Sequence, residues 1–207
     1  MRTALIALIL MTATAHADSN ELWFGGGSRA LRSTSADAVT SDSLGIGALG
    51  YEHALPVDIP RIALWAEAGF AWGSADGTMF QALTTHLSTQ MFVVGARAHY
   101  RLHRLVDVTT RLDLGTARTA LWVNNASDAG WAAVAQSALG VDLFASRQPA
   151  FGIGVRAELG YTITSSVALT PHSDQSSDTL QLKMADASIG HLDLSGPWFA
   201  VSLIGAF

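Results

Sequence analysis

The sequence predicts an all-β fold: an eight-stranded antiparallel up-and-down transmembrane β-barrel with short turns at one end and longer loops at the other. Three observations carry that expectation. The 207-residue chain is 49% hydrophobic and only 14% charged, yet beyond its first residues no stretch reaches the roughly 18 consecutive apolar residues of a spanning helix. Apolar residues instead alternate with polar ones in steps of two, the period of a strand with one apolar face. The final segment, Trp198 to Phe207, alternates strictly and stops on a phenylalanine. Phe199, Val201, Leu203, Gly205 and Phe207 share one side of it, and Ala200, Ser202, Ile204 and Ala206 the other. Such a strand is expected where its outer face meets lipid; the alternative is the buried last strand of a soluble sandwich.

The N-terminus bears on that choice. Met1-Arg2 supplies a positive charge, Ala4 to Met11 is apolar, and Ala15-His16-Ala17 is an A-x-A cleavage site. Residues 1–17 therefore read as a secretory signal peptide, leaving 18–207 as the barrel domain. There is no cysteine, which excludes a lipid-anchored N-terminus and any disulfide. The formal charge of −5 becomes −6 without Arg2, so there is no basic face for nucleic acid. Lys183 is the single lysine and nineteen glycines are spread along the chain; lysine is the usual solvating residue of soluble edge strands.

Eight strand candidates follow in order. Glu21 to Ala30 sets Leu22, Phe24 and Gly26 on one face, and Ser43 to His53 opposes Leu49 and Tyr51 to Gly50 and Glu52; the register of these two is ambiguous. Arg61 to Gly73 alternates Ile62, Leu64, Ala66, Ala68, Phe70 and Trp72 with Trp65, Glu67 and Gly69. Ser88 to Leu102 alternates Phe92, Val94, Ala96, Ala98 and Tyr100 with Val93, Gly95, Arg97 and His99. Leu105 to Trp122 opposes Val106, Val108, Leu112 and Leu114 to Asp107, Thr109, Arg111 and Asp113. Gly130 to Ala145 opposes Leu139, Val141 and Leu143 to Gln136, Gly140 and Asp142, although its alanine-rich start also suits a helix. Ala150 to Ser165 opposes Phe151, Ile153, Val155 and Leu159 to Arg156 and Glu158. The terminal segment is the eighth.

The connections alternate between long and short. Extracellular loops are expected at about 31–42, 74–87, 123–130 and 166–196, with periplasmic turns at 54–60, 103–104 and 146–149. All five prolines fall in connections or at a strand start, where no ladder hydrogen bond is lost. The six tryptophans lie near strand ends, as the headgroup level favours. Trp23 and Trp65 would line the periplasmic side, and Trp72, Trp122, Trp131 and Trp198 the outer side, with Tyr51 and Tyr100 completing the interface aromatics.

The whole mature chain resembles the small eight-stranded bacterial outer-membrane barrels of the OmpA transmembrane-domain, OmpX and OmpW type. Its last strand resembles their C-terminal assembly signal, carried here by Phe199, Val201, Leu203, Gly205 and Phe207. The resemblance implies a monomer in the outer membrane of a Gram-negative bacterium, inserted by the barrel-assembly machinery, in contact with lipid and lipopolysaccharide. No second domain is expected. An OmpW-like protein would be a narrow transporter for small apolar molecules, which is the alternative function.

Glu52, Glu67, Arg97, His99, Arg111, Asp113, Asp142, Arg156 and Glu158 share inward parity. Eight strands leave an interior just wide enough for side chains, so an interior salt-bridge network plugging the barrel is expected, with a structural or surface-interaction role carried by the loops. A proton or ion path along the same residues is the competing reading. Catalysis is not expected. His172-Ser173-Asp174, with His86 and His191, carries the residue types of a lipid A hydrolase, but adjacent residues do not converge as a triad. Asp174, Asp178, Asp186 and Asp193 lack EF-hand spacing and read as a solvated loop rather than a calcium site. No cofactor or metal is expected. Arg118 breaks the pattern: it has outward parity, unless a bulge after Leu114 turns it inward.

Overall fold

A computed structural model describes residues 19–37, 39–57, 59–79, 83–124, 126–148, 151–173 and 191–207. The signal segment lies outside them. The chain forms β1 (Asn20–Ala30), a single helical turn α1 (Thr34–Asp37), β2 (Ser43–Ala54), β3 (Ile62–Met79), β4 (Leu83–His103), β5 (Val106–Val123), β6 (Ala126–Gln148) and β7 (Phe151–Thr164). Three two-residue strands follow, β8 (Val167–Ala168), β9 (His172–Ser173) and β10 (His191–Leu192), before β11 (Gly196–Ala206). The eight long strands pair antiparallel, each with its sequence neighbour, and β11 pairs with both β7 and β1. The sheet closes on itself. Closure removes every open edge, so each backbone N–H and C=O at membrane depth has a partner within the sheet.

Alternation does the rest. On β7, Phe151, Ile153, Val155, Ala157, Leu159 and Tyr161 face out, while Arg156, Glu158 and Thr162 face in. Phe24, Phe92, Val94, Leu112, Leu114, Leu139, Phe199, Val201 and Leu203 extend the same outer belt around the ring. In a soluble protein this would be an untenable apolar surface; around a closed barrel it is the lipid-facing band. The alanine-rich β6 is a strand because both its neighbours pair with it over most of its length. The ladders also fix β1 and β2: Leu22 and Phe24 point out, Glu21 and Trp23 in.

Two of the expected loops are corrected. Segments 74–87 and 123–130 are largely strand, because the β3–β4 ladder runs on to Met79 opposite Leu83 and the β5–β6 ladder to Val123 opposite Ala126. Of the inward residues there, Thr85 is polar and donates its hydroxyl to Val39 O, while Ala75 and Leu87 are apolar. Ala75, Leu87 and the neighbouring Leu121 join Leu31, Ala36, Val39, Leu44, Val167, Leu169, Leu192 and Leu194 in a cluster at the loop end. Asp193 ties this cap down. Its Oδ1 accepts from Ser195 N–H (2.8 Å), Ser195 Oγ (2.6 Å) and Thr164 Oγ1 (3.0 Å).

The opposite end carries the short turns and the start of β1 beside the end of β11. Asn20 N–H donates to Phe207 O at 3.1 Å and Phe207 N–H to Asn20 O at 2.9 Å. Phe207 therefore sits beside Asn20, and it is Ile204 that opposes Trp23. Backbone irregularity concentrates here: register shifts fall between Arg101 and His103 and between Phe144 and Ser146, and Arg61 has a positive φ of 66°. Bulges at barrel rims re-aim side chains, and Arg61, Arg101 and Arg147 all line the mouth.

Candidate functional site in the barrel interior

Neighbouring strands bring like charges together. Glu21 lies opposite Glu52, Glu52 opposite Glu67, and Arg97 opposite Arg111. Along the wall these placements are repulsive. Compensation comes partly along the wall, where Asp142 lies directly opposite Arg156, and partly across the lumen. From β7, Arg156 forks onto Asp142 through Nε and Nη2, both at 2.8 Å, and reaches Glu52 and Glu21 (3.2 Å to Oε2). From β4, Arg97 holds Glu67 (3.0 Å), Glu158 (2.8 Å) and Glu52 (3.1 Å). Arg111 binds Glu67 at 2.8 Å and lies 3.5 Å from Glu158 and from Asp113. His99 Nε2 lies 3.2 Å from Glu52 Oε2. All nine residues that share inward parity in the sequence thus lie in one buried layer, with Glu52 joining the two arginine hubs.

The structure adds members that the sequence reading left out. Glu21 is fully buried beneath Arg156. Asp107 is buried near the mouth and accepts from Arg147 at 2.7 Å. Gln136 donates to Thr162 Oγ1 at 2.8 Å just above the charged layer. Inward parity already marked Asp107 and Gln136; Glu21 was hidden by the uncertain register of the first strand.

Tryptophans bound the layer, which corrects part of the girdle expectation. Trp23, Trp65 and Trp198 point inward and are buried. Arg111 Cζ sits 5.8 Å from the Trp23 ring and 5.0 Å from the Trp198 ring, a cation between two π faces. On the turn side, Trp65 packs against His99 with centroids 5.2 Å apart. The cause is glycine: Trp23 lies directly across from Gly50 and Trp198 from Gly160, and each ring fills the space that a Cβ on that glycine would occupy. Trp72, Trp122, Trp131 and Tyr100 do face outward, and Tyr51, half-buried, donates its hydroxyl to Asn20 Oδ1 at 2.6 Å. Tyr161 joins the outward set.

Arg118 is exposed on the outer face, since the β4–β5 ladder is regular from Thr85 to Arg101 and no bulge turns it inward. Phe199, Val201 and Leu203 face outward, and Gly205 and Phe207 are half-buried on the same parity. Of the residue types considered for hydrolysis, His172 and Ser173 are consecutive in β9, paired with β6, and Asp174 lies outside the described residues. His86 is exposed and paired with Asp76 at 2.7 Å, while His191 pairs across to Ala168. Among the loop aspartates, Asp174, Asp178 and Asp186 lie outside the described residues, as does Lys183, and Asp193 is the loop anchor described above.

Among the described residues, the interior spaces on the two sides of the charged layer are separate cavities. Above the charged layer, the space between Trp23, Arg111, Gln136 and Trp198 amounts to about 30 Å³, room for one or two waters. At the turn end a cavity of about 280 Å³ opens between Trp65, His99, Arg61, Arg101, Asp107 and Arg147. Among the described residues, leucines pack across the loop end and the cavity opens at the turn end.

A closed ring of eight antiparallel strands, apolar outside and ion-paired inside, defines a small β-barrel of the outer-membrane type. Among solved structures, the chain is similar to the Neisserial surface protein A, NspA, with TM-score 0.55, 7% identity, and coverage of 93% of this chain and 99% of that one. Weaker likenesses are to Ail, the attachment invasion locus protein of Yersinia pestis (TM-score 0.43, 12% identity, 91% and 97% covered), and to the beta domain of the Bordetella autotransporter BrkA (0.43, 13%, 90% and 69%). The NspA match carries the fold. No protein-family model matches the chain, and no curated protein matches it.

Proposed function

We propose that the protein is a monomeric resident of the Gram-negative outer membrane whose barrel is a filled scaffold, with its function carried by the surface-facing loops. The observation that supports this reading best is the interior itself. Glu52, Glu67, Asp142 and Glu158 are each tied to an arginine, and Arg97 and Arg156 are among the most deeply buried side chains. Breaking one such pair leaves an uncompensated charge at a cost of about 3–5 kcal/mol, so a solute passing through the layer would meet a steep barrier. The packed leucines at the loop end weigh against a cavity for small apolar molecules, and so against the transporter alternative. In this orientation the turn end, with both termini, faces the periplasm, and the loops face outward.

Lipid and lipopolysaccharide contact follows from the outer belt and from Arg118, whose long side chain can extend to phosphate groups at the interface. Insertion by the barrel-assembly machinery, guided by Phe199, Val201, Leu203, Gly205 and Phe207, belongs to the same reading, as does removal of residues 1–17 on export. An enzymatic role has no convergent nucleophile, base and orienting group to support it among the described residues.

Planar-bilayer recording tests the scaffold. The folded protein is expected to give no stable conductance at neutral pH; steady ohmic channels in wild type would overturn the filled reading.

A further inference from the structure

His99 is among the buried groups of the charged layer that lack a full set of hydrogen-bond partners. His99 is buried, and its Nε2 faces Glu52 Oε2 at 3.2 Å. Glu52 also binds Arg97 and Arg156, so it is a carboxylate and Nε2–H is the donor. With Nε2 so engaged, Nδ1 is the ring nitrogen left to meet a further partner. Nδ1 has no hydrogen-bond partner. What it faces is negative: Asp142 Oδ2 at 3.6 Å and Asp107 Oδ2 at 4.0 Å. Glu21 Oε1 and Asp107 Oδ1 are likewise buried and without a hydrogen-bond partner. A ring nitrogen facing carboxylates at these distances calls for a positive charge between them, a proton or a metal ion.

The wider charge count agrees. Seven buried carboxyls (Glu21, Glu52, Glu67, Asp107, Asp113, Asp142 and Glu158) share five arginines (Arg97, Arg101, Arg111, Arg147 and Arg156). Carboxyls outnumber the arginines among them, and two of those carboxyls face Nδ1.

We propose that His99, Glu21 and Asp142 form a binding site for a divalent transition-metal ion, with zinc the best-suited probe. One donor atom from each lies within 4.8 Å of the others. Ligands about 2.0–2.1 Å from a tetrahedral zinc stand roughly 3.3 Å apart, so the 3.6 Å between His99 and Asp142 needs little change and Glu21 closes by about an ångström or more. An imidazole with two carboxylates leaves a fourth position for water. The support behind the ligands is present: Glu52 orients His99 as an outer-shell carboxylate does, and Arg156 holds Asp142 and Glu21 through oxygens with spare lone pairs. His99 also lines the 280 Å³ cavity at the turn end, which supplies a route for the ion from that side.

The test is a Zn²⁺ titration of the refolded protein in detergent micelles, read by competition with a chelating dye. One zinc per chain is expected, together with a rise in the temperature at which the folded, heat-modifiable gel band is lost. His99→Gln and Glu21→Gln, both near-isosteric, should weaken zinc by at least about tenfold, the lower end for outer-shell changes, and abolish the thermal shift. Should either variant fail to give the folded band, Cu²⁺-loaded wild type with ascorbate locates the ion through oxidised residues mapped by mass spectrometry. Oxidation at His99 supports the site. No zinc uptake by folded wild type, unchanged affinity in a folded variant, or oxidation confined to His53, His86, His103 and His191 overturns it. Conductance does not enter this experiment, so its failure leaves the filled-scaffold reading standing.

Discussion

At the loop end, Leu44, Leu87, Leu121, Leu169 and Leu192 pack with no polar atoms among their side chains; deeper in the barrel, Arg97 and Arg156 are just as completely buried. The two regions fill the same cylinder by different physics. The leucine cap is assembled from loops and strand ends and is held by apolar area, which tolerates small displacements. The charged layer is held by directional bonds between strands far apart in sequence, 135 residues apart for Arg156 and Glu21. Because several wall neighbours repel and partners such as Arg97–Glu158 and Arg156–Glu52 lie across the lumen, much of the layer's energy is gained only when the barrel closes. It is a register device as much as a stabiliser, whereas the cap seals a barrel already formed.

That contrast is open to test. Arg156→Met should have the largest effect, because it strips the partner from Asp142, Glu52 and Glu21 at once. A loss of at least about 3–5 kcal/mol is expected, read as failure to reach the compact, heat-modifiable band on refolding into lipid vesicles. Leu121→Ala in the cap should cost about 2–5 kcal/mol, measured by urea unfolding, with the folded band retained. Equal refolding yields for the two would erase the distinction drawn above. Gly50→Ala pushes a Cβ into the Trp23 ring and should cost about 1–3 kcal/mol by overpacking, while Gly205→Ala, with nothing within 4 Å of the added carbon, should leave unfolding unchanged.

The smallest effect is pH-dependent. Partial burial pushes the Asp193 carboxyl up, but hydrogen bonds from Ser195 and Thr164 outweigh it and hold the group below the usual carboxylate range. A depressed native value means the anchor contributes fully above the unfolded aspartate value of about 4 and fades as pH falls through the native one. Nicking of the last loop by an acid-active protease should therefore rise below about pH 4 in wild type, and the step should be absent in Asp193→Asn.

Much of this architecture was legible in the sequence because a strand's period of two writes burial directly into the chain. The nine inward charged residues are one parity class, and the ring places them in one layer. Parity also marked Trp65 as inward and Trp23 as opposite to Leu22 and Phe24; proximity to strand ends argued the other way, and the facing glycines decided for parity. Those glycines become visible only when the register is known. The cap was illegible for a related reason. Residues 74–87 look like a loop because their composition is small and polar, and it takes the β3–β4 ladder to show that Ala75 and Leu87 point at a common centre. The pairing of Arg156 with Glu21 depends on closure between the two ends of the chain, which no local pattern encodes.

The division of tryptophans has a spectroscopic consequence. Trp72, Trp122 and Trp131 stand on the outer face and Trp23, Trp65 and Trp198 inside it, so the protein carries two populations of intrinsic fluorophore. Brominated acyl chains should dim the first as soon as the chain meets a bilayer. The second should stay bright, and its near-ultraviolet dichroism should appear only when β11 seals against β1. Adsorption to the membrane and completion of the cylinder would then be timed separately in one unlabelled sample.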